Sequence, residues 1–296
     1  MTLVDAHHHL WRLARTPWLN GPAVPRIFGD YDALRRDYLI EEYLDDIRDS
    51  QVTASVFVQV NVAADAEVAE VDWVDSVAQR HGFPQAITAY ADLASADIGD
   101  LLDRELASGR VRAIRQQLHW HHDRAYRFAS RPDLPDDPAW RRGLGQVQAR
   151  SLAFELQVFP GQMACALRLV KDFPGVTFVL LHAGMLEDRS ESGWSHWREQ
   201  MSSLAACPNV VVKLSGLGTF LRACSEEAWR PVIEQTVEMF GPARCMFGSN
   251  FPIEKLWTDY TTLTSVFRQC LSGFTGDERS EILQGTARRV YSITGA

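Results

Sequence analysis

Leu3-Val4-Asp5-Ala6-His7-His8-His9 opens the chain as a β-rich run that ends in three histidines. A doubly wound dinucleotide fold would follow its first strand with a glycine-rich phosphate turn. Here Leu10-Trp11 follows instead. Seven further β-rich runs are read at 54–61, 86–92, 111–118, 153–159, 177–182, 210–215 and 245–250. Amphipathic stretches with helical spacing lie between them, at 40–51, 66–80, 98–108, 162–173, 226–240 and 260–271. Eight strand–helix units without a phosphate turn predict an α/β fold, a (β/α)8 TIM barrel, with residues 1–296 forming one domain.

Composition agrees with that class. Among 296 residues, 46% are hydrophobic and 23% charged, the balance of a globular chain rather than a fibrous or disordered one. Thirty Lys and Arg against 38 Asp and Glu leave a net charge of −8, which disfavours a nucleic-acid partner. No run approaches the ~20 apolar residues of a membrane span. The first residues show no basic segment followed by an apolar one, so the expected compartment is the cytoplasm. The five cysteines are scattered and never in CxxC spacing, which argues against a disulfide framework or a zinc knuckle.

Three connections at C-terminal strand ends are read as long: 10–38, 119–137 and 183–194. In a barrel that end carries the active site, and long loops there wall a substrate pocket. These loops hold Trp11, Trp18, Trp120, Tyr126, Phe128 and Trp194, with Arg12, Arg15, Arg26, Arg124 and Arg127. Aromatic walls and cationic anchors suit a polar small molecule, anionic by expectation. For most of these aromatics, packing the loops down is the preferred reading.

A parallel strand buried on both faces should be nearly all apolar. These strands break that rule at one parity, chiefly towards their C-terminal ends. The exceptions are Asp5, His7 and His9; Gln59 and Asn61; Arg115, Gln117 and His119; Glu155 and Gln157; His182; Lys213 and Ser215; and Asn250. Alternation turns such residues towards the barrel axis. Unpaired polar groups in a core cost about 2–7 kcal/mol each on transfer scales, so the set implies a solvated pocket or a dense hydrogen-bond network. Glu155 with Lys213 or Arg115 fits a buried ion pair as well as it fits catalysis. His7 and His9 share a strand face and can reach one metal ion or one substrate group, whereas His8 should point away.

The chain resembles the amidohydrolase superfamily. The resemblance rests on Val4-Asp5-Ala6-His7-His8-His9-Leu10-Trp11, Phe154-Glu155-Leu156-Gln157, Val179-Leu180-Leu181-His182-Ala183-Gly184, Val212-Lys213-Leu214-Ser215-Gly216-Leu217 and Phe247-Gly248-Ser249-Asn250-Phe251-Pro252. The closing helix from Ile282 to Tyr291 is also similar, so nearly the whole chain is covered. Within the superfamily it is most similar to the branch of sugar-lactone and 2-pyrone-4,6-dicarboxylate lactonases.

That resemblance implies water-mediated opening of a lactone, or a related ester or amide, of a small sugar acid or carboxylated ring compound. His7, His9, His182 and Asn250 fall on the catalytic positions. Arg115, Gln59, Gln157, Lys213 and Trp11 are expected to bind substrate, with Glu155 a base or an ion-pair partner. Family members usually end strand eight with an aspartate, where this chain has Asn250, and carry a strand-five metal histidine, where it has Gln157. A zinc site wants about four good ligands, and His7, His9 and His182 supply three. The expectation is therefore a pocket without a tightly bound metal, one divalent zinc ion being the alternative. Asn250 cannot accept a proton at neutral pH, so His182 is expected to be the base, with an apparent pKa near 6.5. A zinc-dependent decarboxylase of the same superfamily and a catalytically silent ligand-binding barrel are the other readings. A homo-oligomer is compatible with all three.

Overall fold

The computed structural model describes residues 1–294. Eight strands form one parallel sheet in the order β1 to β8: Leu3–His8, Val52–Val58, Ala86–Ala89, Val111–Ile114, Ala153–Leu156, Phe178–Leu180, Val210–Leu214 and Cys245–Phe247. Backbone bonds just beyond β8 close the ring onto β1: Asn250 N–H donates to the His7 carbonyl and His9 N–H to the Phe251 carbonyl, each at 2.7 Å. The fold is the (β/α)8 barrel expected from the alternation of strands and helices.

The helices in chain order are α1 Pro17–Asn20, α2 Ile40–Asp46, α3 Glu67–His81, α4 Ile98–Leu106, α5 Pro138–Ala149, α6 Met163–Asp172, α7 Glu191–Ala205, α8 Glu226–Phe240 and α9 Tyr260–Cys270, followed by the short α10 Gly276–Ser280 and α11 Thr286–Val290. Side-chain caps set several starts: Asp137 accepts from Ala139 N–H, Ser225 from Ala228 N–H and Asp259 from Thr262 N–H. Two helices, α5 and α7, lie outside the stretches with helical spacing, and α7 places Trp194 on a helix rather than in the loop after β6. None of the helices among the described residues is long and apolar enough to cross a membrane.

Two apolar layers result. The larger lies between sheet and helices, with Trp140, Trp197, Trp229, Phe154 and Phe178 fully buried. The smaller takes residues from every strand, including Val4, Ala54, Ala86, Ala113, Ala153, Val179, Val211 and Met246, and so fills the barrel interior. Tyr291 and Ile293 join it from the chain's end and close the floor.

Among the register shifts of the sheet, the one inside β1 between Asp5 and His8 bears on the site. Asp5 pairs with Ser55, but His8 pairs with Phe57, so β1 carries an extra residue between them. A bulge of that kind reverses the facing of everything beyond it. Asp5, expected inside with His7 and His9, therefore points outward. There it accepts from the Tyr43 and Tyr260 hydroxyls at 3.0 Å each and from the Ser249 hydroxyl and amide at 2.7 and 2.8 Å. Asp5 ties β1 to two helices and is not part of the pocket.

Candidate active site

The strands are one to four residues shorter at their C-terminal ends than their composition suggests. The polar residues read as strand ends consequently sit in the first steps of the loops. Asn61, His182 and Asn250 adopt left-handed backbone there, with φ of 56°, 55° and 59°. That conformation turns each side chain back over the barrel mouth, and asparagine tolerates it better than most residues.

Above the barrel mouth lies an open cleft. Its floor is made by His9, His182, Arg115, Gln59, Gln157 and Asn250. Its walls are Trp11, Trp18, Phe28, Phe128, Phe220 and Met185. Trp11, from the loop after β1, is locked by an indole N–H donated to the Arg36 carbonyl at 2.8 Å. Arg26, from the same loop, covers Trp18 and Phe128 with its guanidinium carbon 5.3 and 5.9 Å from the ring centres. The loop after β7 contributes Gly216, from the Val212–Leu217 motif, and Thr219 and Phe220, which no strand pattern marks.

The imidazoles converge. The His7 ring lies 5.0 Å from those of His9 and His182, centre to centre. His9 Nδ1 is 2.7 Å from the Val58 carbonyl, which can only accept. The proton therefore sits on Nδ1, leaving Nε2 an unprotonated acceptor beside the Asn250 side chain. His182 Nδ1 meets the Ser215 hydroxyl at 2.9 Å. That contact requires Gly216, whose φ is +59° and where a Cβ would lie 2.6 Å from His182 Nδ1. His8 faces the helices, stacked on Tyr43 at 4.0 Å with Nε2 3.0 Å from the Ser55 hydroxyl.

These rings stay uncharged. Burial, then the neighbouring Lys213 cation, holds His7 well below its ordinary pKa. Burial and Arg115 do the same to His182 and pull His9 down to about 3. The expected pKa near 6.5 for His182 is therefore corrected downward: a buried imidazole beside two cations resists protonation.

Arg115 and Gln59 clasp each other across the mouth. Arg115 Nη2 donates to the Gln59 carbonyl at 2.9 Å, and Gln59 Nε2 donates to the Arg115 carbonyl at 3.3 Å. Burial lowers Arg115 to about 10, so it keeps its charge at neutral pH. Its Nε has no partner. Gln59 Oε1 also accepts from Asn61 N–H at 2.6 Å, which makes Gln59 a braced wall with few groups to spare.

Lys213, expected to bind substrate, lies elsewhere. Its Nζ is 2.6 Å from Glu155 Oε1 inside the barrel, and both side chains are fully buried. Glu155 Oε1 also accepts from the Thr88 and Tyr291 hydroxyls at 2.7 Å each. The small interior residues around them leave room for this polar plug beneath the pocket, and neither group lines the cleft.

Several buried polar atoms without partners gather at this one place: both ring nitrogens of His7, Arg115 Nε and Gln157 Oε1. Among the described residues, no three His, Cys, Asp or Glu side chains are grouped closely enough to hold a metal ion. The imidazoles therefore do not make a complete donor set.

Comparison with known proteins identifies the framework. The profile of the Amidohydrolase family matches residues 4–293. The chain belongs to the amidohydrolase family. It is 37% identical, over 99% of both chains, to an uncharacterized protein, y4mH, of Sinorhizobium fredii. It is 29% identical to an L-fucono-1,5-lactonase of Burkholderia multivorans, over 98% of this amidohydrolase and 96% of that protein. A crystal structure of an amidohydrolase from Burkholderia multivorans with bound Zn superposes with a TM-score of 0.84 at 26% identity, covering 99% and 100% of the two chains. This amidohydrolase is thus an enzyme of hydrolase type. The leaning towards a metal-free pocket finds no support in that relative, which makes zinc the ion to test.

Proposed function

We propose that the cleft opens a lactone of a small organic acid by attack of water on the ring carbonyl. The observation that carries this reading is that Arg115 Nε and Gln157 Oε1, on two residues lining one pocket, lack partners, with the unpartnered His7 ring packed behind His9 and His182. Each such atom costs about 1–3 kcal/mol when left unsatisfied, and a substrate that bonds to them recovers that cost. The similarity to L-fucono-1,5-lactonase supports a lactone as the substrate class.

The roles follow from the chemistry of each group. The Arg115 guanidinium, charged and with Nε free, polarises the carbonyl or pairs with a substrate carboxylate. His182, neutral on the pocket floor, takes the proton from the attacking water. His9, with its proton on Nδ1, offers Nε2 as an acceptor to the Asn250 amide and so helps to hold it. Asn250 orients the water, since its amide can bond but cannot take the proton. Gln157 Oε1 accepts from a substrate hydroxyl. Trp11, Trp18 and Phe128 cover the faces of a ring.

Zinc bound here would rest on His7 and His9 and would polarise the carbonyl as a Lewis acid. The incomplete donor set does not fit a tight site, and no role above depends on it. A panel of aldonolactones and carboxylated pyranones, followed with a pH indicator with and without chelator, tests the reading. Hydrolysis of at least one member, lost in His182→Asn, is expected. No turnover of any lactone by folded protein overturns it.

A further inference from the structure

Glu254 lies four residues beyond Asn250. It sits in the turn Ile253–Leu256 after β8 and is 1% exposed. Its Oε1 lies 3.5 Å from Asn250 Nδ2 and 3.5 Å from the Thr219 hydroxyl, and its Oε2 accepts from the Trp257 indole N–H at 2.8 Å. Asn250 and Thr219 both line the cleft, so this carboxyl stands directly behind two pocket residues. The surrounding chain is shaped for it. A Cβ at Gly218 would fall 2.6 Å from Glu254 Oε2 and 2.4 Å from Trp257 Nε1.

We propose that Glu254 is a positioning residue for the hydrolytic step, its carboxylate holding the Asn250 amide nitrogen and so turning Asn250 Oδ1 towards the attacking water. The proposal rests on the lactonase reading and supplies what the asparagine lacks. An amide is ambidextrous, presenting a donor or an acceptor depending on its flip. A carboxylate behind it accepts only from the –NH2 end, which fixes the carbonyl end towards the pocket. Once protonated, Glu254 becomes a donor and that preference is lost.

Burial pushes the Glu254 carboxyl up to about 8, with bonds from Trp257, Asn250 and Thr219 opposing. The titratable group facing it from the β7–α8 loop is the Cys224 thiol, itself pushed up to about 11 by burial and so uncharged when Glu254 titrates. The loss of Glu254's proton is therefore the event that sets the amide as the pH rises through about 8.

The test is the pH dependence of kcat and KM on any lactone the wild-type protein opens, for wild type, Glu254→Gln and Glu254→Met. Wild-type kcat is expected to rise through an apparent pKa near 8. Glu254→Gln keeps an accepting oxygen that does not titrate, so its profile should lose that limb. Glu254→Met should lower kcat roughly tenfold or more while KM stays within about threefold, the pattern of a group that acts on the reaction rather than on binding. A limb near 8 that survives in folded Glu254→Gln overturns the proposal, and that variant decides the matter if Glu254→Met fails to fold. Absence of any turnover by wild type overturns the lactonase reading instead, and this proposal with it.

Discussion

Lys213 Nζ and Glu155 Oε1 meet at 2.6 Å in the barrel interior, with neither side chain reached by solvent. Burial pulls the Lys213 ammonium below its ordinary range, and the carboxylate opposes it. Removing one partner leaves an uncompensated buried charge, at a cost of about 3–5 kcal/mol. Lys213→Met is therefore expected to lose that much stability in urea unfolding, and Lys213→Met with Glu155→Leu to recover most of it. A single variant as stable as wild type would show that the pair contributes nothing to holding the barrel.

Glu105 gives a second stability prediction. It is fully buried, and neither carboxyl oxygen has a hydrogen-bond partner. Burial, followed by the nearby Glu70, pushes its pKa up to about 8. The folded chain thus keeps a proton that the unfolded chain releases near 4.5. Stability is greatest below that value and falls as the pH rises towards about 8, where the folded group also ionises. Glu105→Gln should flatten the fall in Tm between pH 5 and 8 and raise Tm at the upper end. An unchanged slope would mean that the carboxyl is already ionised in the folded protein.

Arg115 bears on specificity. Guanidinium and carboxylate pair in a bidentate manner, so Arg115→Met should weaken kcat/KM for carboxylated lactones at least tenfold more than for neutral ones, about 1.4 kcal/mol of discrimination. Equal losses on both classes would assign the guanidinium to the reacting carbonyl instead.

For zinc, calorimetric titration of chelator-treated protein should fill at most one site per chain, and His7→Ala should abolish it, because His7 is the ring with both nitrogens free. Zinc bound unchanged by the His7 variant would place the metal elsewhere.

The barrel was legible because its signal is distributed over eight alternating units, and a few misplaced boundaries do not disturb it. The pocket floor was legible for a related reason: His9, His182, Arg115, Gln59, Gln157 and Asn250 are polar residues where a buried parallel strand should be apolar. Parity was less reliable. The bulge in β1 sent Asp5 to the helices, and nothing in the sequence marks an inserted residue. Lys213 and Arg115 look alike as inward cations, yet only depth along the strand separates a plug from a pocket anchor. Glu254 escaped notice because it lies in a turn, outside any strand pattern, and its burial depends on a glycine and a tryptophan distant from the histidines.

His182 is the neutral base proposed for the hydrolytic pocket. The decisive measurement is kcat for lactone opening by His182→Asn, alongside its Tm. His182→Asn is expected to fold, with Tm within a few degrees of wild type and turnover reduced by about a hundredfold or more, the scale of a lost general base. A folded His182→Asn that keeps most of its turnover would contradict that role.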